Sequence, residues 1–216
     1  MTTKKAPHTE LYILGSSLYA EEIADYVIES GEYTLSGFIE GLDQEKCNQK
    51  LLDLDILWIN DISKLDNNCR GICAVGSPKR KSFIHEAASL GLQFATFIHP
   101  SAHVSSTSTL GSGTIVSAGS IIAVKTSIGN HVIINRGCLI GHHVSIGNYV
   151  TVSPGANIAG KVVIGEGSYI GMGAIVLDGI NIGKNVIVGS GAVVTKDVPD
   201  NVQVVGLPAR IVKELT

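Results

Sequence analysis

Two adjacent histidines are the residues of this chain best suited to proton-transfer chemistry near neutral pH. His142 and His143 lie in the stretch Asn135–Ala156, NRGCLIGHHVSIGNYVTVSPGA. An imidazole ionises close to pH 7, so it can take a proton from a substrate and later return it. A lone surface histidine is usually only a solvated side chain. Two adjacent imidazoles with Asn135 nearby favour a catalytic site, although solvated side chains remain the alternative.

A six-residue repeat must position these side chains. From Val104 to Val194 every sixth residue is Val, Ile or Leu, sixteen times without interruption, and the next residue is Gly eight times. This period predicts a left-handed parallel β-helix, in which three hexapeptides close one triangular coil. The β-branched side chains should fill the prism, and the glycines should serve corners where φ turns positive. His142 and His143 should then point outward from a corner that they share with Asn135.

Residues 1–98 do not follow this repeat and predict a different domain. Strands and helices alternate, which is typical of a Rossmann-like α/β unit with a parallel sheet. We therefore expect a first domain over 1–98 and a β-helix with a C-terminal cap over 99–216, with the boundary at His99. The predicted elements are Leu11–Leu14, Leu35–Ile39, Ile72–Val75 and Phe94–Ile98 as strands, and Ala20–Ser30 and Lys79–Leu90 as helices.

The turn after the first strand is a candidate phosphate site. Gly15 to Ala20 join a strand to a helix, and a helix N-terminus offers free amides and a positive dipole end. However, Leu18 and Ala20 stand where dinucleotide-binding folds prefer glycine. An ordinary tight turn is the alternative. Gly76 follows another strand end and is a second candidate for ligand contact.

Composition limits the other partners. Sixteen basic and nineteen acidic side chains predict no general attraction to nucleic acid or anionic membranes. The polar opening MTTKKAPHTE and the absence of a long apolar run lead us to expect a cytoplasmic protein without membrane insertion. We expect no metal, because Cys69 and Cys73 have no second pair nearby and His131 is the only further histidine near the His142 corner.

Taken together, these motifs resemble a known family. The α/β domain, the segment His99–Ala102, the unbroken hexapeptide repeat and the closing Gly206–Arg210 are similar to sialic acid O-acetyltransferases and UDP-4-amino-sugar N-acetyltransferases. The similarity extends over residues 10–210, and its most specific part is Asn135–Ala156. The members that the chain resembles most act in bacillosamine biosynthesis.

The resemblance implies a role for each matching residue. His142 aligns with the general base and Asn135 with a polar active-site residue, while His143 occupies the position of an orienting Asp or Glu. Acetyl-CoA would lie in a groove between two prisms of a homotrimer. Its implied contacts are Thr151, Gly160, Met172, Ser190, Ala192, Pro208 and Arg210. The implied sugar-nucleotide contacts are Ser17, Leu18, Tyr19, Glu40, Gly41 and Gly76.

The resemblance therefore implies an acetyl-CoA-dependent enzyme that acetylates the 4-amino group of a UDP-4-amino-4,6-dideoxy sugar. In the family, Thr151 is often a second histidine near the thioester. Its replacement modestly favours an amine acceptor, since an amine needs less activation than a hydroxyl. O-acetylation of sialic acid and a non-catalytic sugar-nucleotide scaffold are the two alternatives.

Overall fold

The computed structural model describes residues 9–215, so the polar opening segment, residues 1–8, lies outside the described residues. The chain divides into two compact units. The first comprises the residues up to Val75 and Arg80–Ala95, and the second comprises Gly76–Lys79 and the residues from Thr96 onward. Within residues 9–215, none of the helices has both the length and the apolar character needed to cross a bilayer.

The first unit is built around a mostly parallel sheet. Its elements are β1 Glu10–Leu14, α1 Leu18–Ser30, β2 Thr34–Glu40, β3 Lys50–Leu51, β4 Leu54–Trp58, β5 Arg70–Cys73, α2 Lys81–Ser89 and β6 Gln93–Phe94, with 3-10 helices Gln44–Asn48 and Ile59–Lys64 and a third, Pro78–Arg80, directly before α2. The strand order is β3-β4-β2-β1-β5-β6. All neighbours are parallel except β3 and β4, which are antiparallel.

The central position of β1 follows from its apolar sequence. Leu11, Ile13 and Leu14 are fully buried, as expected for a strand that is covered on both faces. Helix α1 buries Ala20, Ile23, Ala24 and Val27, which recur at helical spacing, and it ends at Gly31 in the left-handed conformation.

Two features of the first unit differ from the sequence prediction. The short pair β3 and β4 was not expected. The strand predicted over Phe94–Ile98 is two strands, because β6 ends at Phe94 in this sheet whereas Phe97–Ile98 pairs with a strand of the second unit.

The second unit is a parallel β-helix whose coils contribute one strand to each of three sheets. Sheet one contains β7 Phe97–Ile98, β10 Ile115–Val116, β13 Ile133–Ile134, β16 Thr151–Val152, β19 Tyr169–Ile170, β22 Ile187–Val188, β24 Val202–Val205 and β25 Arg210–Glu214. Sheet two contains β8 His103–Val104, β11 Ile121–Ile122, β14 Leu139–Ile140, β17 Asn157–Ile158, β20 Ile175–Val176 and β23 Val193–Val194. Sheet three contains β9 Thr109–Leu110, β12 Ser127–Ile128, β15 Ser145–Ile146, β18 Val163–Ile164 and β21 Asn181–Ile182.

Successive coils stack in register, and the hexapeptide β-helix expected from the sequence is confirmed. Leu139 pairs with Asn157, and Asn157 pairs with Ile175, so equivalent residues recur once per coil. From Val116 onward, each repeat aliphatic is at most 3% exposed, whereas Val104 and Leu110 at the start are partly exposed. The antiparallel pair β24 and β25 closes the other end, where the sequence predicted a cap.

Polar side chains inside the prism are bonded to its own backbone. The hydroxyl of Thr126 donates to the Gly141 carbonyl at 2.8 Å, and that of Ser120 donates to the Asn135 carbonyl at 2.7 Å. Cys138 is fully buried at an inward position of the repeat, and burial raises the pKa of its thiol to about 11. These bonds satisfy the buried hydroxyls of Thr126 and Ser120.

The role expected for the glycines directly after the repeat aliphatics is wrong. Positive φ occurs two residues later, for example at Gly137, His143 and Lys161. The earlier glycines are instead needed for close backbone approach, since a Cβ on Gly165 would lie 2.5 Å from the carbonyl carbon of Gly183 in the next coil. Stacking of the coils, not the dihedral angle, therefore explains the small residue there.

Candidate functional site

The turns of the β-helix form three edges, and each candidate residue of the β-helix can be located by the edge on which it lies. We call the turns from sheet one to sheet two the first edge, those from sheet two to sheet three the second edge, and those from sheet three back to sheet one the third edge. His142 and His143 follow β14 on the second edge. Asn135 follows β13 on the first edge. The sequence analysis expected Asn135 to share the corner of the histidine pair, and that expectation is wrong. Asn135 precedes His142 by seven positions, and each hexapeptide spans one side of the coil, so the two residues lie on different edges.

The two imidazoles are exposed and form a hydrogen-bonded pair. Their Nδ1 atoms are 3.2 Å apart, and their rings meet edge to face with centroids separated by 5.2 Å. His143 has φ of 57°, the left-handed value that recurs at this place in other coils. Because a neutral imidazole has one donor and one acceptor nitrogen, this contact can fix the nitrogen of His142 that carries the proton.

Gly160 lies one coil after His142 on the second edge and borders the ring. A Cβ at this position would be 2.5 Å from Cε1 and 2.7 Å from Nε2 of His142. The Gly160 N–H makes no hydrogen bond within residues 9–215. The missing side chain thus lets the imidazole pack against the Gly160 backbone, whose amide can donate to an oxygen bound there.

The residues predicted to line the cofactor path are distributed along the first edge and the C-terminal hairpin. Met172 is 57% exposed, and Ser190 lies one coil after it and is also exposed. Pro208 and Arg210 are exposed where β24 connects to β25. Ala192 is fully buried in the prism, so its side chain cannot line a surface path. That prediction is wrong, since Ala192 occupies the inward position of its repeat.

Thr151 is committed to a contact that the sequence did not predict. It is buried in sheet one, and its hydroxyl donates to the carbonyl of Gly76 at 2.8 Å. Both residues belong to the second unit. The hydroxyl thus anchors the backbone of Gly76, a predicted substrate contact, instead of presenting a free donor to a thioester.

In the first unit, three candidate residues begin helix α1. Ser17 is its N-cap, but the Ser17 side chain makes no capping hydrogen bond, and both Ser17 and Leu18 are exposed. Tyr19 is half-buried. The exposed, uncapped start of a thirteen-residue helix can receive an anionic group through its amides and dipole.

The turn after β2 is held by a buried carboxylate. Glu40 is 4% exposed and accepts hydrogen bonds from the Ser16 hydroxyl at 2.5 Å and from the amides of Gly41 and Leu42 at 3.0 and 2.9 Å. Burial opposes its ionisation, but these bonds and the charge of Lys46 outweigh burial and hold the pKa of Glu40 below its usual range. Glu40 therefore fixes this turn as an ionised group.

The packing of helix α2 explains why position 41 is a glycine. A Cβ on Gly41 would lie 2.6 Å from the ring of Phe83 in α2. Any side chain at this position would require the ring to move, so the packing of Phe83 favours glycine.

Sequence reasoning missed two residues of these sites. Ser16 bonds to Glu40, and Asp178 places Oδ1 2.9 Å from where a Cβ on Gly160 would lie. The repeat itself could have identified Asp178, which stands two coils after His142. Among residues 9–215, no group of three or more His, Cys, Asp or Glu side chains is arranged to hold a metal ion.

Comparison with known families and structures shows which class of enzyme this chain is similar to. The family model described as bacterial transferase hexapeptide (six repeats) matches residues 125–160 and 161–196. These segments include the histidine pair and Gly160. A search of curated proteins gives no significant match.

Solved structures match nearly the whole chain. PerB from Caulobacter crescentus, in complex with CoA and GDP-perosamine, is 30% identical with a TM-score of 0.87, over 94% of this chain and 97% of that one. The acetyltransferase domain of PglB from Neisseria gonorrhoeae, in complex with acetyl coenzyme A, is 27% identical with a TM-score of 0.87, over 95% and 100%. WeeI from Acinetobacter baumannii is 27% identical with a TM-score of 0.79, over 94% and 100%.

Proposed function

The chain belongs to the bacterial hexapeptide transferases, and we propose that it transfers the acetyl group of acetyl-CoA to the 4-amino group of a UDP-linked 4-amino-4,6-dideoxy-N-acetylhexosamine. It is an acetyl-CoA-dependent sugar N-acetyltransferase, like PerB, which was crystallised with CoA and GDP-perosamine, and the PglB domain, which was crystallised with acetyl coenzyme A. The observation that carries the proposal is the stacking of His142 against Gly160, because it places a base beside an unbonded amide.

In the proposed reaction, His142 is the general base and Gly160 stabilises negative charge. We assign His142 the tautomer in which its Nδ1–H donates to Nδ1 of His143, and this leaves the Nε2 lone pair beside Gly160. Nε2 takes a proton from the amine as nitrogen bonds to the thioester carbon, while the Gly160 N–H donates to the developing oxyanion. The carbon–sulfur bond then breaks, and the sulfur receives the proton from His142. The products are an amide and the thiol of CoA.

The residues of the first edge fit the rest of the CoA molecule. The exposed thioether of Met172 offers apolar surface to the pantetheine chain, and the small Ser190 lets it approach the coil. Arg210 offers a positive charge to a phosphate. We propose that these residues, with Pro208, bind acetyl-CoA.

A shared site between chains brings the two edges together. His142, His143 and Gly160 lie on the second edge, whereas Asn135, Met172 and Ser190 lie on the first edge of the same prism. Between these edges, sheet two exposes the apolar side chains of Ile121, Leu139 and Ile175, a surface of the kind that packs against another subunit. We therefore propose a homotrimer in which the second edge of one chain faces the first edge of its neighbour.

We assign the sugar nucleotide to the turns of a Rossmann-like first domain. Ser17, Leu18 and Tyr19 would supply amides to the diphosphate at the start of α1. Glu40 would hold the Gly41 turn beside the nucleoside. The carbonyl of Gly76 is positioned by Thr151.

Thiol release from acetyl-CoA is the direct test. The purified chain is supplied in separate reactions with a UDP-linked 4-amino-4,6-dideoxy sugar, with GDP-perosamine, with sialic acid and with no acceptor. We expect thiol release that depends on the UDP-linked amine, and a product heavier by one acetyl group. Release with GDP-perosamine alone would contradict the uridine assignment but keep 4-amino acetylation. Release with sialic acid alone would support O-acetylation, and no release with any acceptor would favour the scaffold alternative.

A further inference from the structure

A free carboxylate stands above the catalytic imidazole on the second edge. Gly160 lies one coil after His142, and Asp178 lies one coil after Gly160. The position that a Gly160 Cβ would occupy is 2.7 Å from Nε2 of His142 and 2.9 Å from Oδ1 of Asp178. Nε2 of His142 and Oδ1 of Asp178 are therefore separated by no more than the sum of these two distances. Because Gly160 has no side chain, the imidazole and the carboxylate border the same space.

No contact in the fold explains why an acid is present at this position. Asp178 is exposed, and within residues 9–215 its carboxylate makes no hydrogen bond or ion pair. Two other aspartates near the end of the β-helix differ in this respect. Asp197 accepts from the Asn181 amide at 2.8 Å, and Asp200 accepts from the Lys184 amide at 2.7 Å. Those two carboxylates bond to the backbone of the coils, whereas Asp178 is directed at the His142 column.

We propose that Asp178 is a positioning residue that acts through His142, an inference that rests on the proposed function. A carboxylate can only accept hydrogen bonds. While Nε2 of His142 carries a lone pair, the two acceptors have no attraction for each other, and the space between them is open to the hydrogens of an amine. Once Nε2 has taken the amine proton, the imidazolium and the Asp178 carboxylate carry opposite charges and attract each other across this space.

The attraction between His142 and Asp178 arises only when His142 is protonated, so it stabilises the transition state more than the ground state. An interaction that is stronger at the transition state than in the ground state raises turnover and leaves substrate affinity little changed. His143 cannot supply the negative charge, because an imidazole has none. The acid that the family resemblance places at that position is thus provided here from two coils farther along the prism. Asp178 forms no covalent bond, and the proton still passes from the amine to His142 and then to the sulfur.

The test is a double-mutant cycle on the thiol-release assay. Asp178→Asn should lower kcat roughly three- to fivefold, the effect of losing an attraction between exposed opposite charges, with both KM values unchanged. Asp178→Glu should recover part of that loss. In a His142→Ala background, Asp178→Asn should change the residual kcat by less than about twofold, because its partner is already gone. Glu166→Gln on the third edge is the matched control for loss of a charge and should leave kcat unchanged.

Each result decides the matter. Equal fold losses in the wild-type and His142→Ala backgrounds would show that Asp178 acts independently of His142 and would overturn the inference. An unchanged kcat in Asp178→Asn would overturn it as well, while wild-type turnover keeps the proposed function. A wild-type chain that releases no thiol with any acceptor overturns the proposed function and the inference together.

Discussion

At the scale of single residues, the chemistry depends on which groups are free and which are already engaged. His142 Nε2 and the Gly160 amide border open space, whereas the Thr151 hydroxyl is bonded to Gly76. Thr151 and the histidine that often replaces it in the family therefore differ in role as well as in type. In this chain, the thioester has one donor fewer and depends more strongly on His142 and Gly160.

Removal of the imidazole tests the base directly. His142→Ala should lower kcat by roughly 10²- to 10⁴-fold, the usual contribution of a general base, with KM for acetyl-CoA changed by less than about twofold. Steady-state thiol release at saturating acceptor measures both constants. His85→Ala, which removes an exposed histidine of helix α2 in the first unit, is the control and should behave as wild type. Near-normal turnover of His142→Ala would contradict the assignment.

The buried carboxylate of Glu40 predicts a pH-dependent stability. Its folded-state pKa lies below the ordinary value, so its contribution is present above an unfolded-state pKa of about 4.3 and is lost as the pH falls through the folded value. Glu40→Gln should therefore reduce the free energy of unfolding by about 1–3 kcal/mol at pH 7.5, with a smaller difference below pH ~4. Urea unfolding at several pH values measures this.

An exposed acid on the same turn supplies the comparison. Glu45→Gln makes the same change of charge where the side chain is solvated, and its unfolding free energy should follow wild type at every pH. If Glu40→Gln and Glu45→Gln had parallel pH profiles, the hydrogen bonds from Ser16, Gly41 and Leu42 would not stabilise the ionised carboxylate.

At the scale of elements, the two classes of glycine in the repeat predict opposite sensitivities. A Cβ on Gly165 would meet only backbone atoms of Gly183 and Lys184, at 2.5 to 2.6 Å, and those atoms cannot move without separating the coils. Gly165→Ala should cost about 1–3 kcal/mol or more. Gly137 has φ of 67° and nothing within 4 Å of its Cβ position, so Gly137→Asn should cost about 1 kcal/mol or less.

Denaturant midpoints of the two variants make the comparison, since both replace one glycine in the same β-helix. A larger loss in Gly137→Asn than in Gly165→Ala would mean that backbone dihedrals, not coil spacing, limit the repeat.

The elements also show what could be read from sequence. One phase of aliphatics every six residues is a long-range signal, because each repeat meets the same position of its neighbours, and the β-helix follows from it. The α/β alternation is a local signal with less redundancy. It identified β1, α1, β2, β5 and α2 but missed β3 and β4, and it merged β6 with β7. Short strands contain too few residues to show a period, and their pairing depends on partners distant in sequence.

The candidate site was predictable in part, for the same reason. The outward position of His142 and the inward position of Cys138 follow from the phase of the repeat. Ala192 has the same inward phase, which contradicts the cofactor contact that resemblance suggested. Hydrogen bonds such as Thr151 to Gly76 join residues with no fixed spacing, so a pattern could not have indicated them. Asp178 does have a fixed spacing, and counting whole coils from His142 locates it.

At the scale of the whole molecule, the residues of the proposed site lie on two different edges of one chain. His142 and Gly160 are on the second edge, whereas Asn135 and Met172 are on the first edge. The face of sheet two between the first and second edges exposes Leu139, which is 42% exposed. Val163 on sheet three is 43% exposed. Sheet two forms the interface of the proposed trimer, so a charge at Leu139 should dissociate the trimer. Sheet three lies outside that interface, so a charge at Val163 should leave the trimer intact.

Complementation between His142→Ala and Asn135→Ala chains, each of which lacks one polar residue of the proposed site, tests whether that site is shared. In a trimer assembled at random from equal amounts of His142→Ala and Asn135→Ala chains, each interface takes its second edge from one chain and its first edge from the next. About one interface in four then carries both native side chains, so co-expression should restore up to about a quarter of wild-type turnover. A site built within one chain has no such route, because every chain lacks one of the two residues. The mixture would then be no more active than its components.

Adding Leu139→Glu to both chains should abolish the recovery, and Val163→Glu should leave it in place. Light scattering on the same samples should give about three times the 22.6 kDa chain mass for the first mixture and a single-chain mass after Leu139→Glu.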